Sequence, residues 1–579
     1  MIKLSDYVAR FLAEHGVAVV FGYQGSSVAH TIHSISKSPI RFVETRHEQA
    51  AAFAACGYAL QKNDVGVALS CSGPGALNLI SGIADAWYDS IPCLFLTGQV
   101  SRSGIRTGEQ IRQLGFQETD ICSIVAPITK YAVTVMEPQT IRYHLEKAWA
   151  MMCSGRKGPV LLDIPHDVQA SIIDETALAG YEEVPEASRW IPHPAQDWGS
   201  RIGGAKRPLL LLGKGASGLR DSGLLEQFCE KYHLPVVCSY LGKDVFDNTK
   251  ANFIGVIGAY GNRLANLAVH YSDLILSLGS RLDGRQTGDD LQRFGEQAEI
   301  FCVDIDSGEL GKLPQRYQTC CADAQTFLED AMAYSPNHNG TWLPTLVRWK
   351  ESFAPEQEYP ADHAGVNPNC LLKRVSEDMV GCPIVADVGQ NQIWVNASAV
   401  VGKGGRLIQS GGLGTMGFAL PAAVGASFAK PDRAVVCISG DGGFQMNIQE
   451  LQTIQENNCA IHCYVMNNQS LGLIRVYQQK ALQGNLVGSV DGFGNPNYEM
   501  IARAYGMAYY RIREDGNIAE ALQKIRGCTG PCLIEVDISE RSVCYPEPTY
   551  KQLVYQQSPL MDVEVIQRFE SEIGYETKV

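Results

Sequence analysis

No stretch of this 579-residue sequence approaches eighteen uninterrupted apolar positions, which argues against a bilayer-spanning helix. The opening, Met1 to Gly16, carries Lys, Asp, Arg and Glu where a signal peptide would have an apolar core, so a cytoplasmic address and no membrane partner are expected. There is no basic stripe: 48 Lys and Arg stand against 62 Asp and Glu, and a net charge of −14 excludes nucleic acid as the expected partner. It also means that an anionic substrate has to be captured by local groups. None of the 18 cysteines forms a Cys-x-x-Cys pair, and several sit in apolar runs (Cys93, Cys238, Cys302, Cys437), so they read as reduced, small hydrophobic residues. Low-complexity segments and short-period repeats are lacking too, and 45% hydrophobic with 19% charged residues excludes disordered and fibrous classes.

What is there is alternation. Apolar runs such as Ala18 to Phe21, Gly66 to Ser70, Cys93 to Thr97 and Val160 to Ile164 alternate with helical patterns, which predicts a parallel sheet covered on both faces. A Pro- and Trp-bearing connector from Val184 to Pro208 closes this block. A second α/β block opens with Leu209 to Gly213 and includes Asp273 to Gly279 and Ile300 to Asp304. Another connector, Ser335 to Pro368 with one helix around Leu343 to Phe353, leads to a third block and a Pro- and aromatic-rich tail, Tyr545 to Tyr550, with the character of a packing arm. The length calls for about three domains. The expected fold is α/β, with three doubly wound parallel-sheet domains.

The third block carries the sharpest signal. The apolar run Ala434 to Ser439 ends in Gly440-Asp441-Gly442-Gly443-Phe444, and Asn468 follows Asp441 by 27 residues, after a second run, Ile461 to Met466. Glycines at a strand end let backbone N–H groups approach an anion, and a helix expected from about Asn447 adds its positive dipole end. A diphosphate held there needs a hard cation, and one carboxylate with one amide oxygen supplies suitable ligands. Both would lie at carboxyl ends of strands, where open α/β sheets bind ligands.

Further motifs accompany this one in order: Arg46-His47-Glu48-Gln49, Ser72-Gly73-Pro74-Gly75-Ala76-Leu77-Asn78, Gly98-Gln99-Val100, Phe116-Gln117-Glu118 and Gly411 to Gly417. Together they resemble the acetolactate (acetohydroxyacid) synthase large-subunit branch of thiamine diphosphate enzymes over nearly the whole chain. The resemblance implies a pyrimidine-binding domain (1–183), a central FAD-binding-like domain with a Rossmann-like sheet (190–335), and a diphosphate-binding domain with a C-terminal arm (365–579). It further implies an active site shared between two copies, hence a homodimer or homotetramer. Glu48 would meet the cofactor's aminopyrimidine and share a proton with it, and Met416 would prop the cofactor's folded shape. Gln117 and Lys130 would face the substrate. Mg²⁺ would be held by Asp441, Asn468 and the carbonyl of Ser470. Gly25, Ser72, Gly73, Asn78, Gly389, Gln390, Asn391, Gly412, Gly414, Gly440, Gly442, Gly443, Leu471 and Gly472 would complete the cofactor surroundings, Asn391 replacing the family's usual His. In the central block, Gly213, Arg281, Asp283, Arg285, Asp304, Ile305 and Asp306 resemble a flavin-binding stretch, and FAD would be structural. There the family's second acidic position is Gly284, which removes a partner expected to orient Arg285.

The expected activity is carboligation: decarboxylation of pyruvate and transfer of its two-carbon unit to an acceptor carbonyl, a second 2-oxo acid giving 2-acetolactate. Two departures concern the acceptor. Tyr477 stands where amino-acid-biosynthetic members have Trp, and the segment Gly108 to Gly115 is about six residues longer, bringing in Glu109 and Arg112. This insertion resembles enzymes of surface-polysaccharide pathways that use a keto-sugar nucleotide, making a branched-chain sugar; an insertion that only packs at a subunit interface is the other reading. A flavin-coupled 2-oxo acid oxidase, a diketone-cleaving lyase and a degenerate cofactor-binding scaffold stay open as alternatives, the last opposed by the intact Glu48, Asp441 and Asn468.

Overall fold

A computed structural model describes residues 1–106, 108, 110–182, 198–334, 340–549 and 551–575. Glu109, Tyr550 and much of the two expected connectors (183–197 and 335–339) lie outside the described residues. Three six-stranded sheets carry the architecture, each parallel throughout and flanked by helices. The apolar runs become their central strands because a parallel strand buried on both faces has no polar side to show. Val435, Val436, Cys437, Ile438 and Ser439, for instance, are all buried.

The first sheet runs Arg41–Glu44, Val19–Gly22, Gly66–Ser70, Cys93–Gln99, Val160–Pro165, Tyr131–Thr134. The third runs Arg406–Gln409, Pro383–Ala386, Val435–Gly440, Ile461–Asn467, Cys532–Asp537, Ala508–Ile512. Counted within its own block, each has the order 2-1-3-4-6-5, so the first and third blocks are the same wound unit used twice. The middle sheet, Phe253–Val256, Val236–Cys238, Pro208–Leu212, Leu274–Leu278, Glu299–Asp304, Gln318–Cys321, has the order 3-2-1-4-5-6. Its order reverses between Pro208–Leu212 and Leu274–Leu278, and a crevice is expected beyond the carboxyl ends there.

The first and third blocks meet through two helices, Glu48–Lys62 and Ala419–Ala429, which share one hydrophobic core. The approach is close because glycines stand at the crossing. A Cβ on Gly57 would lie 2.1 Å from the Ala422 carbonyl oxygen, and one on Gly425 would lie 1.9 Å from that of Ala54. Polar joints flank this contact. Asp89, at the end of the helix Ile80–Tyr88, accepts the backbone N–H groups of Gly412 and Gly411 at 2.7 and 2.8 Å, and Asp85 accepts the Ser410 hydroxyl at 2.6 Å. Burial pushes the Asp85 carboxyl up to about 7. Residues beyond 551 return to the middle block, where Phe569 of the helix Val563–Glu572 is fully buried beside Trp342, Trp349 and Tyr271.

Alanine normally stabilises a helix relative to glycine. At Gly425 the sign reverses, since a methyl group has no room: Gly425→Ala is expected to cost about 1–3 kcal/mol in urea denaturation. Asp85 generates a pH dependence. Between the ordinary carboxylate range and about 7 the folded chain keeps a proton that the unfolded chain releases, so stability falls as pH rises through this window and levels off above it. Asp85→Asn should flatten that fall by one proton's worth, measured as unfolding midpoint against pH from 4.5 to 8.

Candidate active site

The parallel register sets Val435 beside Ile461 and Gly440 beside Met466, so the ends of the two strands lie level and Asp441 comes next to the Asn467-Asn468 turn. The chain turns into a helix at once, Asp441–Met446, with no wait until Asn447 as the sequence pattern suggests. Glycine is the reason for the tight turn: a Cβ on Gly442 would sit 2.5 Å from the Leu471 side chain, and one on Gly443 would sit 2.9 Å from the Asp387 carboxyl carbon. Met416, Leu471 and Phe493 converge on Gly442.

Around this turn the donors are arranged. Asp441 is buried, its Oδ1 accepting the Gly442 N–H at 2.9 Å and its Oδ2 the Asn495 amide at 3.0 Å. Burial raises its carboxyl above the ordinary range against these hydrogen bonds. Both N–H bonds of the Asn468 amide are spent, on Gln390 Oε1 at 2.8 Å and Ser542 Oγ at 3.0 Å. The amide plane is therefore fixed, with Oδ1 on the opposite face, 3.3 Å from the Ser470 N–H. Gln390 also packs against Gly472, where a Cβ would meet its Oε1 at 1.9 Å, and Asn391 packs against Gly440. Gly389 (φ 90°) and Gly414 (φ 72°) have open space where a Cβ would point. A carboxylate, an amide oxygen and a backbone carbonyl beside open glycine backbone fit a hard divalent cation carrying a diphosphate.

The first block assembles a second group of residues. His47 caps the helix Glu48–Lys62 by accepting the Gln49 N–H, and Glu48 Oε2 accepts the Asn78 amide at 3.0 Å. A Cβ on Gly75 would be 3.1 Å from Glu48 Oε1. Gly25 packs on Cys71, and the Ser72 N–H donates to Ser27 Oγ. Gln117, at φ 66°, lies against Gly73. Buried Glu118 folds the preceding insertion by accepting the N–H groups of Leu114 at 2.6 Å and Arg106 at 3.0 Å, leaving Arg112 exposed. The insertion is thus folded back on Arg106 and Glu118, with Gly115 against Gly104 and Val100.

Lys130 stands elsewhere in the same sheet. It enters the strand Tyr131–Thr134 at the amino end, whereas Glu48, Gly73 and Gln117 lie beyond carboxyl ends, and its ammonium donates to the carbonyls of Ser154 and Arg156 at 2.6 and 2.9 Å. Among the described residues no hydrogen bond joins Glu48 to Asp441 or Asn468.

In the middle block a cavity of about 390 Å³ opens at the switch point of the sheet. Arg281, Asp283, Arg285, Asp304 and Ile305 line it, together with Arg156 of the first block and Gly412 of the third. Gly213 makes the close loop crossing beneath it, its Cβ position 2.1 Å from the Gly279 carbonyl oxygen. Asp306 caps the helix Ser307–Gly311 and pairs at 3.0 Å with Arg156, which lines the cavity. With Gly284 in the acidic position, Arg285 is held by Gln392 at 3.2 Å and by the Tyr240 ring, 5.2 Å from its centroid. Lys214, half-buried at the cavity, has its ammonium pushed down to about 8 by desolvation.

Two organising acids escaped the sequence reading. Asp387, buried at a strand end, accepts the N–H groups of Val388 (2.9 Å), Gly417 (3.1 Å) and Ala419 (3.4 Å), tying its own loop to the segment Gly417 to Ala419. Burial raises it to about 6. Glu450, fully buried, accepts the Arg46 N–H at 2.9 Å and so holds the turn entering Glu48 from the third block. Asp387 closes an apolar strand and Glu450 lies among Asn447, Gln449 and Gln452, so neither acid carries a spacing or motif that marks it without coordinates.

Three family models match the chain: the N-terminal TPP binding domain of thiamine pyrophosphate enzymes over residues 2–124, their central domain over 197–331, and their C-terminal TPP binding domain over 387–536. Among curated relatives, the acetolactate synthase isozyme 2 large subunit of Escherichia coli is 33% identical, covering 94% of this chain and 96% of that protein. The isozyme 1 large subunit of the same organism is 34% identical over 94% and 95%. The acetolactate synthase large subunit of Cyanidium caldarium is 33% identical over 92% and 93%. The strand-end donors at Asp441 and Asn468, the repeated outer domains and these full-length similarities converge, and the chain belongs to the thiamine pyrophosphate enzyme family, in its acetolactate synthase large-subunit branch.

Proposed function

We propose that the protein is a thiamine diphosphate- and Mg²⁺-dependent carboligase that takes pyruvate as donor, releases CO₂ and joins the remaining two carbons to a second 2-oxo acid, giving 2-acetolactate without net oxidation. The observation that carries this reading is the pair of fixed oxygen donors, Asp441 and Asn468, beside an open glycine turn. Ser470 would lend its backbone carbonyl to the metal. When bound, the cofactor supplies the carbon nucleophile and the electron sink for decarboxylation. The chain's own residues orient and move protons. Glu48, set by Asn78, would exchange a proton with the aminopyrimidine nitrogen, and Met416 would hold the cofactor folded over Gly442. Gln117, against Gly73, would face the donor.

Completion by a second copy is part of the proposal. Among the described residues no hydrogen bond joins Glu48 to Asp441 within one chain, and large apolar side chains stand exposed: Leu77, Phe116, Leu413, Met446 and Tyr477. A homodimer would cover them and bring one copy's first block to the other's third. FAD is proposed for the middle cavity, where Arg281 and Arg285 suit a pyrophosphate and Asp304, at a strand end, suits a ribose or adenine edge.

A second reading of the acceptor has its own observation. The insertion, held by Glu118, directly precedes Phe116-Gln117 in the chain and leaves Arg112 exposed, and Tyr477 is 60% exposed on the helix Gly472–Ala481. A hydroxylated acceptor such as a keto-sugar nucleotide needs matched polar partners of this kind.

Glu48→Gln is expected to lower kcat by roughly 10²–10⁴-fold while Mg²⁺-dependent cofactor binding, followed by calorimetry, stays within a few-fold; normal turnover would remove the role given to Glu48. Mass spectrometry of products from pyruvate, cofactor and Mg²⁺ alone should show efficient 2-acetolactate. Slow decarboxylation with little ligated product would instead favour the keto-sugar acceptor.

A further inference from the structure

The third sheet has a second concentration of chemistry, at its end away from the cofactor turn. His462 and Cys532 are direct neighbours across parallel strands, in register and on one face. Cys528, in the short loop between the helix Ile518–Arg526 and the strand Cys532–Asp537, comes over the same spot. One ring nitrogen of His462 and the two sulfurs all lie within 4.8 Å of one another. Tetrahedral coordination with zinc–sulfur bonds of about 2.3 Å and zinc–nitrogen bonds of about 2.0 Å separates such donors by roughly 3.5–4 Å, so closing on an ion needs a contraction on the order of 1 Å.

His462 gives the second, independent sign. It is 4% exposed, and its Nδ1 is buried without a hydrogen-bond partner, a costly state for a residue whose place in an apolar layer could be taken by leucine. Its Nε2 lies 3.3 Å from the Cys528 carbonyl oxygen. A ring that donates Nε2–H to that carbonyl keeps its lone pair on Nδ1, the arrangement in which metal-binding histidines are commonly held. Ordinary packing of two thiols and an imidazole does not account for the orphaned nitrogen.

We propose that His462, Cys528 and Cys532 form a binding site for one thiophilic d¹⁰ cation, zinc(II) in the first instance. Two thiolates and an imidazole select this chemical class over Mg²⁺ or Ca²⁺, which prefer oxygen. On binding, the Cys528 and Cys532 thiols each lose a proton to solvent and the metal forms two sulfur bonds and one nitrogen bond, a fourth position being open to water. The site clips the end of the helix Ile518–Arg526 to the sheet. It lies five residues of strand, about 17 Å, from Asn467, so its role is to brace the third domain.

The test uses the full chain, reduced and stripped with chelator, titrated with Co²⁺ under nitrogen. The expected result is a thiolate-to-cobalt charge-transfer band with four-coordinate visible bands, saturating at one equivalent and bleached by Zn²⁺. Cys528→Ser and His462→Gln should each lower that absorbance at least tenfold, whereas Cys153→Ser, an exposed cysteine elsewhere, should retain it. Since Cys528 is only half-buried in a loop, its serine variant is expected to fold, as judged by circular dichroism, and Zn²⁺ should raise the unfolding midpoint of the parent chain but not of this variant. Absence of the band in the parent, or a band of equal strength in Cys528→Ser, would overturn the proposal.

Discussion

Backbone-to-backbone packing of the helices Glu48–Lys62 and Ala419–Ala429 is the constraint on which both halves of the site depend. With Gly57 and Gly425 at the crossing, no side chain separates the helices, so small changes in their spacing have no soft layer to absorb them. Glu48 opens the first helix, and the loop Gly411–Gly417 runs directly into the second. The Glu48 carboxyl and the loop bearing Met416 are therefore carried by the two members of one rigid pair. This explains why alanine and glycine dominate both helices where larger apolar residues would bury more area.

Buried acids make the same joint directional. Asp89, Asp85, Asp387 and Glu450 each bind backbone N–H groups or a hydroxyl across an element boundary. Burial opposes their ionised forms and pushes Asp85, Asp387 and Glu450 upward, while the hydrogen bonds pull the other way. Hydrophobic contact alone would let the glycine loops slide, since it has no direction. A carboxyl group holding two or three specific N–H groups sets loop geometry to a few tenths of an ångström, at a cost in stability that the large shared core offsets. The pH dependence assigned to Asp85 is the thermodynamic trace of that exchange.

The apolar runs were legible because strands buried on both faces must be continuously hydrophobic: Gly66–Ser70 and Val435–Gly440 fall where the pattern puts them, to within a residue. Edge strands were not. Arg41–Glu44, Tyr131–Thr134 and Ala508–Ile512 are only partly buried, and their mixed composition carries no period that distinguishes them from loops. Strand order was equally hidden, since the identical winding of the first and third blocks resides in which strands pair. In the site, residue types at fixed spacing revealed Asp441 and Asn468. Of the partners that aim them, Gln390 was named from its loop, whereas Ser542 and Asn495 stand apart in the chain and become visible only as contacts. The start of the helix after Gly440 was misjudged because a six-residue helix containing two glycines looks like a turn.

Gly284 shows how a missing group can be replaced from another domain. An acid there would have oriented Arg285 from its own loop and partly neutralised it. In its place Gln392 and the Tyr240 ring hold the guanidinium, and both are neutral. Gln392 also donates to the Ser410 carbonyl, whose own hydroxyl is bound to Asp85. The cation lining the middle cavity is thus positioned by the third block through the same polar joint that fixes the Gly411–Gly417 loop.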